Sequence, residues 1–322
     1  MDRRSWLLNM LSVAAGLATV SDARAQEQPV RILTGFAPGG SADALARVVA
    51  TQLQGQLGRT VIVENKPGAA GRLAVDMAKE AKPDGTTLLL VPQGPMTLFP
   101  HVFKALRYDP VKDFTPISRI ATGDFALSAG PLVPAQNVAE LRAWLKTAGD
   151  KASFGSPGAG TIPHFLGAAI GKQLGVTLTH IPYKGAAPAL TDVAGGTLAL
   201  AVSPITEALP LVKGGRIRVL ATTGERRSQF LNGVPTLKES GLDVDVPLWY
   251  GLYAPAGVTG PMADKLRAAT VAGMRAKDID DRMKVLGLVA APSTVPELME
   301  LQRREFEMWA PIVKTSGFTP ED

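Results

Sequence analysis

Residues able to carry chemistry are scarce in this chain, and their spacing is uninformative for catalysis. There are 322 residues, no cysteine and three histidines, His101, His164 and His180. Without cysteine there is no disulfide, no thiolate metal site and no thiol nucleophile. The histidines show neither an H-x-x-x-H nor an H-E-x-x-H spacing, which argues against a metal centre. The stretch Phe154-Gly155-Ser156-Pro157-Gly158 misses the first glycine of the nucleophile-elbow pattern by one residue, and no His–acid partner is evident. Gly171-Lys172 lies mid-helix with Gln173 where a phosphate-binding loop needs Ser or Thr. Gly158-Ala159-Gly160 starts like a dinucleotide fingerprint, but Pro163 stands where the third glycine belongs.

Two glycine-rich turns remain, Gly35–Asp43 (GFAPGGSAD) and Phe154–Phe165 (FGSPGAGTIPHF). Each follows an apolar run and precedes a helical pattern. Glycine lets the main chain come close to a ligand, and the free N–H groups of the helix start point at it, where the helix dipole favours negative charge. Ser41 reads as an N-cap and Asp43 suits the first turn. Ser156 and Thr161 add hydroxyl donors, and His164 follows the second turn by one helical turn. Four or five charge-assisted bonds at ~1.5–3 kcal/mol each, less the cost of association, reach micromolar affinity for a small anion. Such turns also occur with no ligand; two matching ones in separate units favour a shared anion site.

The surrounding elements follow from the hydrophobic pattern. PVRILTGFAPGG reads as a buried strand running into a turn, and Leu45, Val48, Val49, Leu53 and Leu57 recur at helical spacing until Gly58. A second strand (TVIVEN), a Pro-Gly turn, a helix from about Arg72 to Ala81 and a third strand (TTLLLVP) continue a strand–helix alternation. That alternation predicts a parallel sheet with helices on both faces. A second unit repeats the pattern from near Ser128, and the aromatic strand LWYGLYAP carries the chain back. The expected division is residues 26–127 and 250–322 in one α/β lobe and 128–249 in the other. Ligands of such sheets sit beyond the carboxyl ends of the strands, which is where both glycine-rich turns fall.

Residues 1–25 read as a cleaved export signal: Arg3-Arg4, an apolar run from Trp6 to Val20, then Ala23-Arg24-Ala25. The run is shorter than the ~20 residues of a membrane span. Arg3-Arg4 ahead of Ser5-Trp6-Leu7 resembles a twin-arginine signal, although Asp2 departs from the usual flank; both export routes fit. The expected location is the periplasm, where ATP is absent. Net charge is +5, with 34 basic residues dispersed among 29 acidic ones. No basic, aromatic-interleaved stripe suggests nucleic acid.

Read together, VRILTGFAPGGSADALARVVA, VIVENKPGAAG, PDGTTLLL, YDPVKDFTPIS, ASFGSPGAGTIPHF, HIPYKGAAPAL, IRVLATTGERRSQFLNGVPTLKESG and WYGLYAPAGV resemble the Bug, or TctC-like, proteins. These are the solute-binding components of tripartite tricarboxylate transporters, and the resemblance spans nearly the whole chain after the signal. It implies a type II periplasmic-binding-protein fold, with two α/β lobes, a hinge and a ligand cleft between them. It also implies capture of a small mono-, di- or tricarboxylic acid, delivery to membrane transporter subunits, a monomer, no cofactor and no catalytic residues. A second reading is a ligand-loaded partner of a sensor kinase. Carried onto this sequence, the ligand-binding set is Phe36, Ala37, Gly39, Gly40, Ser41 and Asp43 in one lobe. In the other it is Ser156, Gly158, Gly160, Thr161, His164 and Tyr183. Lys184 is read as a surface residue, since neighbouring side chains point differently. Two positions depart from the commoner family pattern: Gln93, where Ser, Thr or Asn is frequent, and Ser203, where many members carry an acid. An ammonium wants a carboxylate, so Ser203 points toward a plain mono- or dicarboxylate.

Overall fold

The computed structural model describes residues 28–319; the expected export signal lies outside them. The chain adopts the two-lobe α/β architecture. In the first lobe β1 (Val30–Thr34) runs parallel to β2 (Val61–Asn65) and β3 (Thr87–Pro92). Helix α1 (Ser41–Leu57) joins β1 to β2, and α2 (Arg72–Lys79) joins β2 to β3. Strands β1 and β3 are covered on both faces, as their continuous apolar runs require. Two one-turn helices, α3 (Gly94–Thr97) and α4 (Phe99–Val102), follow β3.

The chain leaves on β4 (Phe114–Gly123), and after the single residue Asp124 enters the second sheet on β5 (Phe125–Ala129). Helix α5 (Val138–Leu145), β6 (Ser153–Ser156), α6 (Ile162–Leu174), β7 (Thr179–Pro182), α7 (Ala186–Gly195), β8 (Leu200–Pro204), α8 (Ile205–Lys213) and β9 (Arg218–Thr222) complete that lobe. The long β10 (Leu248–Pro255) returns to the first sheet, antiparallel to both β3 and β4. Helices α9 (Gly260–Gly273) and α10 (Ile279–Leu286), the two-residue β11 (Val289–Ala290) and α11 (Val295–Thr315) close the chain. The strand orders are β11-β4-β10-β3-β1-β2 and β7-β6-β8-β5-β9.

One hydrophobic core runs through both lobes, joining Ile32, Leu88 and Leu252 of the first sheet to Leu127, Leu200 and Leu220 of the second. At the crossover Asp124 packs against Gly224, and its main-chain oxygen accepts from the Ile205 N–H at 3.0 Å. Burial and the nearby Asp245 push the Asp124 carboxyl up to about 6. The carboxyl ends of β1, β3, β6, β7 and β8 face one another across the gap between the lobes, and β10 starts beside the end of β3 with Tyr250 opposite Pro92.

Candidate functional site

The first turn is built by its own hydrogen bonds. Gly39 takes φ +84°, a conformation that only glycine adopts freely, and donates its N–H to Asp43 Oδ2 at 2.9 Å. The Gly40 N–H bonds the Ala37 carbonyl, and Asn65 Nδ2 donates to the Phe36 carbonyl at 3.0 Å. Burial works to raise the Asp43 pKa, but bonds from Arg47, Gly39 and Asn65 hold it below the usual carboxylate value. Asp43 therefore braces the turn as a stably ionised strut. Ser41 is not the N-cap: Gly40 holds that position, and Ser41 is the first residue of α1. Its hydroxyl turns away from its own helix. It donates to Glu207 Oε1 at 2.9 Å and accepts from the Tyr250 hydroxyl at 2.9 Å.

Glu207 comes from α8 in the opposite lobe, and sequence reasoning overlooked it. Its Oε1 also lies 3.4 Å from the Ser41 N–H, and the main chains of Ala186 and Ala187 at the start of α7 bond it as well. Desolvation raises its pKa; the bonds from Ser41, Ala186 and Ala187 work against that, and the net shift is upward. Ser203 stands where many members of the resembled family carry an acid, but Glu207, four positions on, brings a carboxylate to the cavity wall. Ser203 itself is buried, its hydroxyl directed at the Pro204 carbonyl.

These groups head an inner cavity of about 270 Å³ between the lobes. Phe36, Ala37, Gly39, Gly40, Ser41, Gln93 and Thr161 line it, as expected. Phe99, Phe125, Ile162, Leu248 and Tyr250 make most of its wall apolar. Several polar side chains here are already engaged. Gln93 Nε2 donates to the Pro247 carbonyl at 2.6 Å and its Oε1 accepts from the Trp249 N–H at 2.9 Å, so its amide clamps β3 to β10. Thr161 Oγ1 donates to the Gly158 carbonyl at 2.8 Å. An outer compartment of about 500 Å³ adjoins the inner one and shares Phe36, Ala37, Ala70, Pro157, Lys184 and Gly185 with it. Gly158 and Tyr183 line this outer space, together with Arg72, whose guanidinium lies 3.7 Å above the Phe103 ring. The Tyr183 hydroxyl donates to Asp192 at 2.6 Å; burial and that carboxylate push its pKa up to about 12. Lys184, expected on the surface, is exposed and also borders both spaces.

The rest of the second turn behaves differently from expectation. Ser156, Gly160 and His164 border neither space. The Gly160 N–H donates to His164 Nδ1 at 3.1 Å, which draws the imidazole back over the turn. There it stacks on His180 with centroids 3.7 Å apart, beside Phe154 and Phe165. Ser156 Oγ lies 2.7 Å from His180 Nε2, so a Ser–His contact exists that the sequence did not reveal. The serine is fully buried and also bonds the Gly158 carbonyl, and the His180 ring faces His164 and Phe154. Desolvation and the neighbouring His164 depress the His180 pKa to about 3, and desolvation lowers that of His164. Both rings are neutral packing elements. Asp43 borders neither space and acts through the turn it braces. Among the described residues no group of three His, Cys, Asp or Glu side chains is placed to hold a metal ion.

Known proteins resemble this chain in sequence and fold. Residues 45–318 match the family model described as the tripartite tricarboxylate transporter family receptor, TctC. A Cupriavidus necator protein, named for its position in the gbd 5' region, is 36% identical over 259 residues, or 80% of this chain and 78% of its own. The periplasmic binding protein BugD superposes with a TM-score of 0.86 at 32% identity, covering 92% of this chain and 99% of BugD. An R. palustris protein with adipate gives 0.87 at 27% identity, covering 91% of this chain and 98% of its own. MatC from Rhodopseudomonas palustris with bound malate gives 0.81 at 28%, over 88% and 98%. The chain belongs to the TctC family of tripartite tricarboxylate transporter receptors.

Proposed function

We propose that this chain is a periplasmic receptor that captures a small organic acid between its lobes and hands it to the membrane subunits of a tripartite transporter. The observation that carries this reading is the convergence of three helix starts, those of α1, α6 and α7, on one largely apolar cavity at the carboxyl ends of the strands. Main-chain N–H groups at a helix start hold an anion without a dedicated cation, and with those of α1 and α7 met by Glu207 the start of α6 is left for the solute's carboxylate. The main chains of Phe36, Ala37 and Thr161 are the contacts we assign to the solute, with Gly39 and Gly40 shaping the turn that presents them and Gly158 and Tyr183 at the entrance. Structural relatives carry adipate and malate, which supports a carboxylate in this cavity. Export to the periplasm agrees with BugD, described as a periplasmic binding protein. Among the described residues no helix is long and apolar enough to cross a membrane. The function is binding and release, not turnover.

Thermal unfolding against a panel of organic acids and their amides tests this. A solute at 100 times its Kd adds about 2.7 kcal/mol of stability. A rise in Tm with an acid and none with the amide that removes its only carboxylate supports the reading. No rise with any carboxylate contradicts it.

A further inference from the structure

The cleft carries charge of both signs. Two charged residues border the inner cavity, the acid Glu207 and the cation Lys184, and Lys184 is shared with the outer compartment, which Arg72 also borders. The donors at the starts of α1 and α7, on opposite lobes, are directed at Glu207 itself. A relay runs from the Tyr250 hydroxyl through the Ser41 hydroxyl to Glu207 Oε1 and fixes the sense of those hydrogen bonds: the serine proton is committed to the carboxylate. The chain's own acid thus sits where a second carboxylate of a dicarboxylic solute would seek the same N–H groups. Two carboxylates side by side in an apolar cavity repel strongly, whereas a carboxylate facing an N–H donor is satisfied. Phe99, Phe125, Ile162 and Leu248 give the same cavity an apolar wall suited to a methylene chain.

Resting on the receptor reading above, we propose that Glu207 is the specificity-determining residue of the cleft. It selects acids whose far end carries an N–H donor, an ammonium or a primary amide, over dicarboxylates of the same length. The donor end rests on Glu207 and the carboxylate points toward the start of α6 and Lys184.

Calorimetric titration with matched sets of four, five and six carbons tests this, each set comprising a dicarboxylate, its monoamide and the corresponding ω-amino acid. In the wild type the best-fitting set shows the amino acid or the monoamide binding at least tenfold tighter than the dicarboxylate. In Glu207→Gln, which keeps shape and removes charge, that ratio falls below threefold. A wild type that prefers the dicarboxylate overturns this proposal and leaves the receptor reading standing. So does a preference for N–H donors that Glu207→Gln leaves unchanged. No binding of any carboxylate overturns both. Should that variant fail to fold, Glu207→Ala takes its place with the same expected ratio.

Discussion

The two glycine-rich turns look alike in sequence and serve the cleft differently. In the first, the main chain curls around Asp43 and the helix start opens onto the inner cavity, with the Ser41 side chain reaching across to the other lobe. In the second, the start of α6 also faces the cavity, but Ser156 and His164 fold back into a pile of rings behind it. Glycine spacing sets the main-chain path and the direction of its N–H groups. Where the side chains go is decided by partners far along the chain, Glu207 for the first turn and His180 for the second.

Gly160 tests the contrast with the largest expected effect. It takes φ +69°, and a Cβ there would lie 2.7 Å from Val102 Cγ1 of the opposite lobe. Gly160→Leu adds about 1–3 kcal/mol of backbone strain and wedges the lobes apart; calorimetry should show solute affinity reduced more than a hundredfold. A variant that binds normally would show that the second turn does not set lobe approach. Next comes Gln93→Leu, which leaves the Pro247 carbonyl and the Trp249 N–H without their side-chain partner. Chemical denaturation should register a loss of about 2–4 kcal/mol with affinity changed less than threefold. A large affinity loss at unchanged stability would instead put the amide on the solute.

The histidine pile predicts a pH dependence. His180 titrates near 3 when folded against about 6.5 when unfolded. The unfolded chain therefore takes up protons first as pH falls. The stability contributed by neutral His180 is complete above about pH 6.5 and is lost progressively as pH drops toward 3. His164 shifts in the same direction. His180→Gln, which keeps a partner for Ser156, should flatten the denaturation midpoint between pH 6 and 4; an unchanged slope would remove the pair from the account. Lys184→Ala is expected to act least. Its side chain is exposed at the rim, so affinity should fall only a few-fold, and by less at high salt.

Much of the fold is legible because its physics is local. Short apolar runs bounded by turn residues, such as Thr87–Pro92, read as buried strands, and the alternation of strand, glycine turn and amphipathic helix points to layered sheets. The inner cavity's main-chain lining is legible for the same reason, since Gly39 and Gly40 mark where the backbone must turn. Glu207 was not, because an acid in the first turn of a helix is ordinary dipole chemistry. Its contact with Ser41 spans 166 residues and exists only once the lobes meet. One signal was available: Glu207 stands just past the carboxyl end of a buried strand, where ligands of these sheets sit. The engagement of the Gln93 and His164 side chains within the protein was hidden for a related reason. Each side chain is claimed by main-chain groups, those of Pro247 and Trp249 for Gln93 and that of Gly160 for His164.

The central claim is that a small carboxylate lies in the inner cavity between the two helix starts and Glu207. The most direct measurement is a crystal structure of the protein with the acid that raises its Tm most. The account predicts solute density within the cavity of about 270 Å³, touching the Gly39–Ser41 turn and the start of α6, with an N–H donor on Glu207. Density for the solute outside this cavity, or a carboxylate in place of that donor against Glu207, would contradict it.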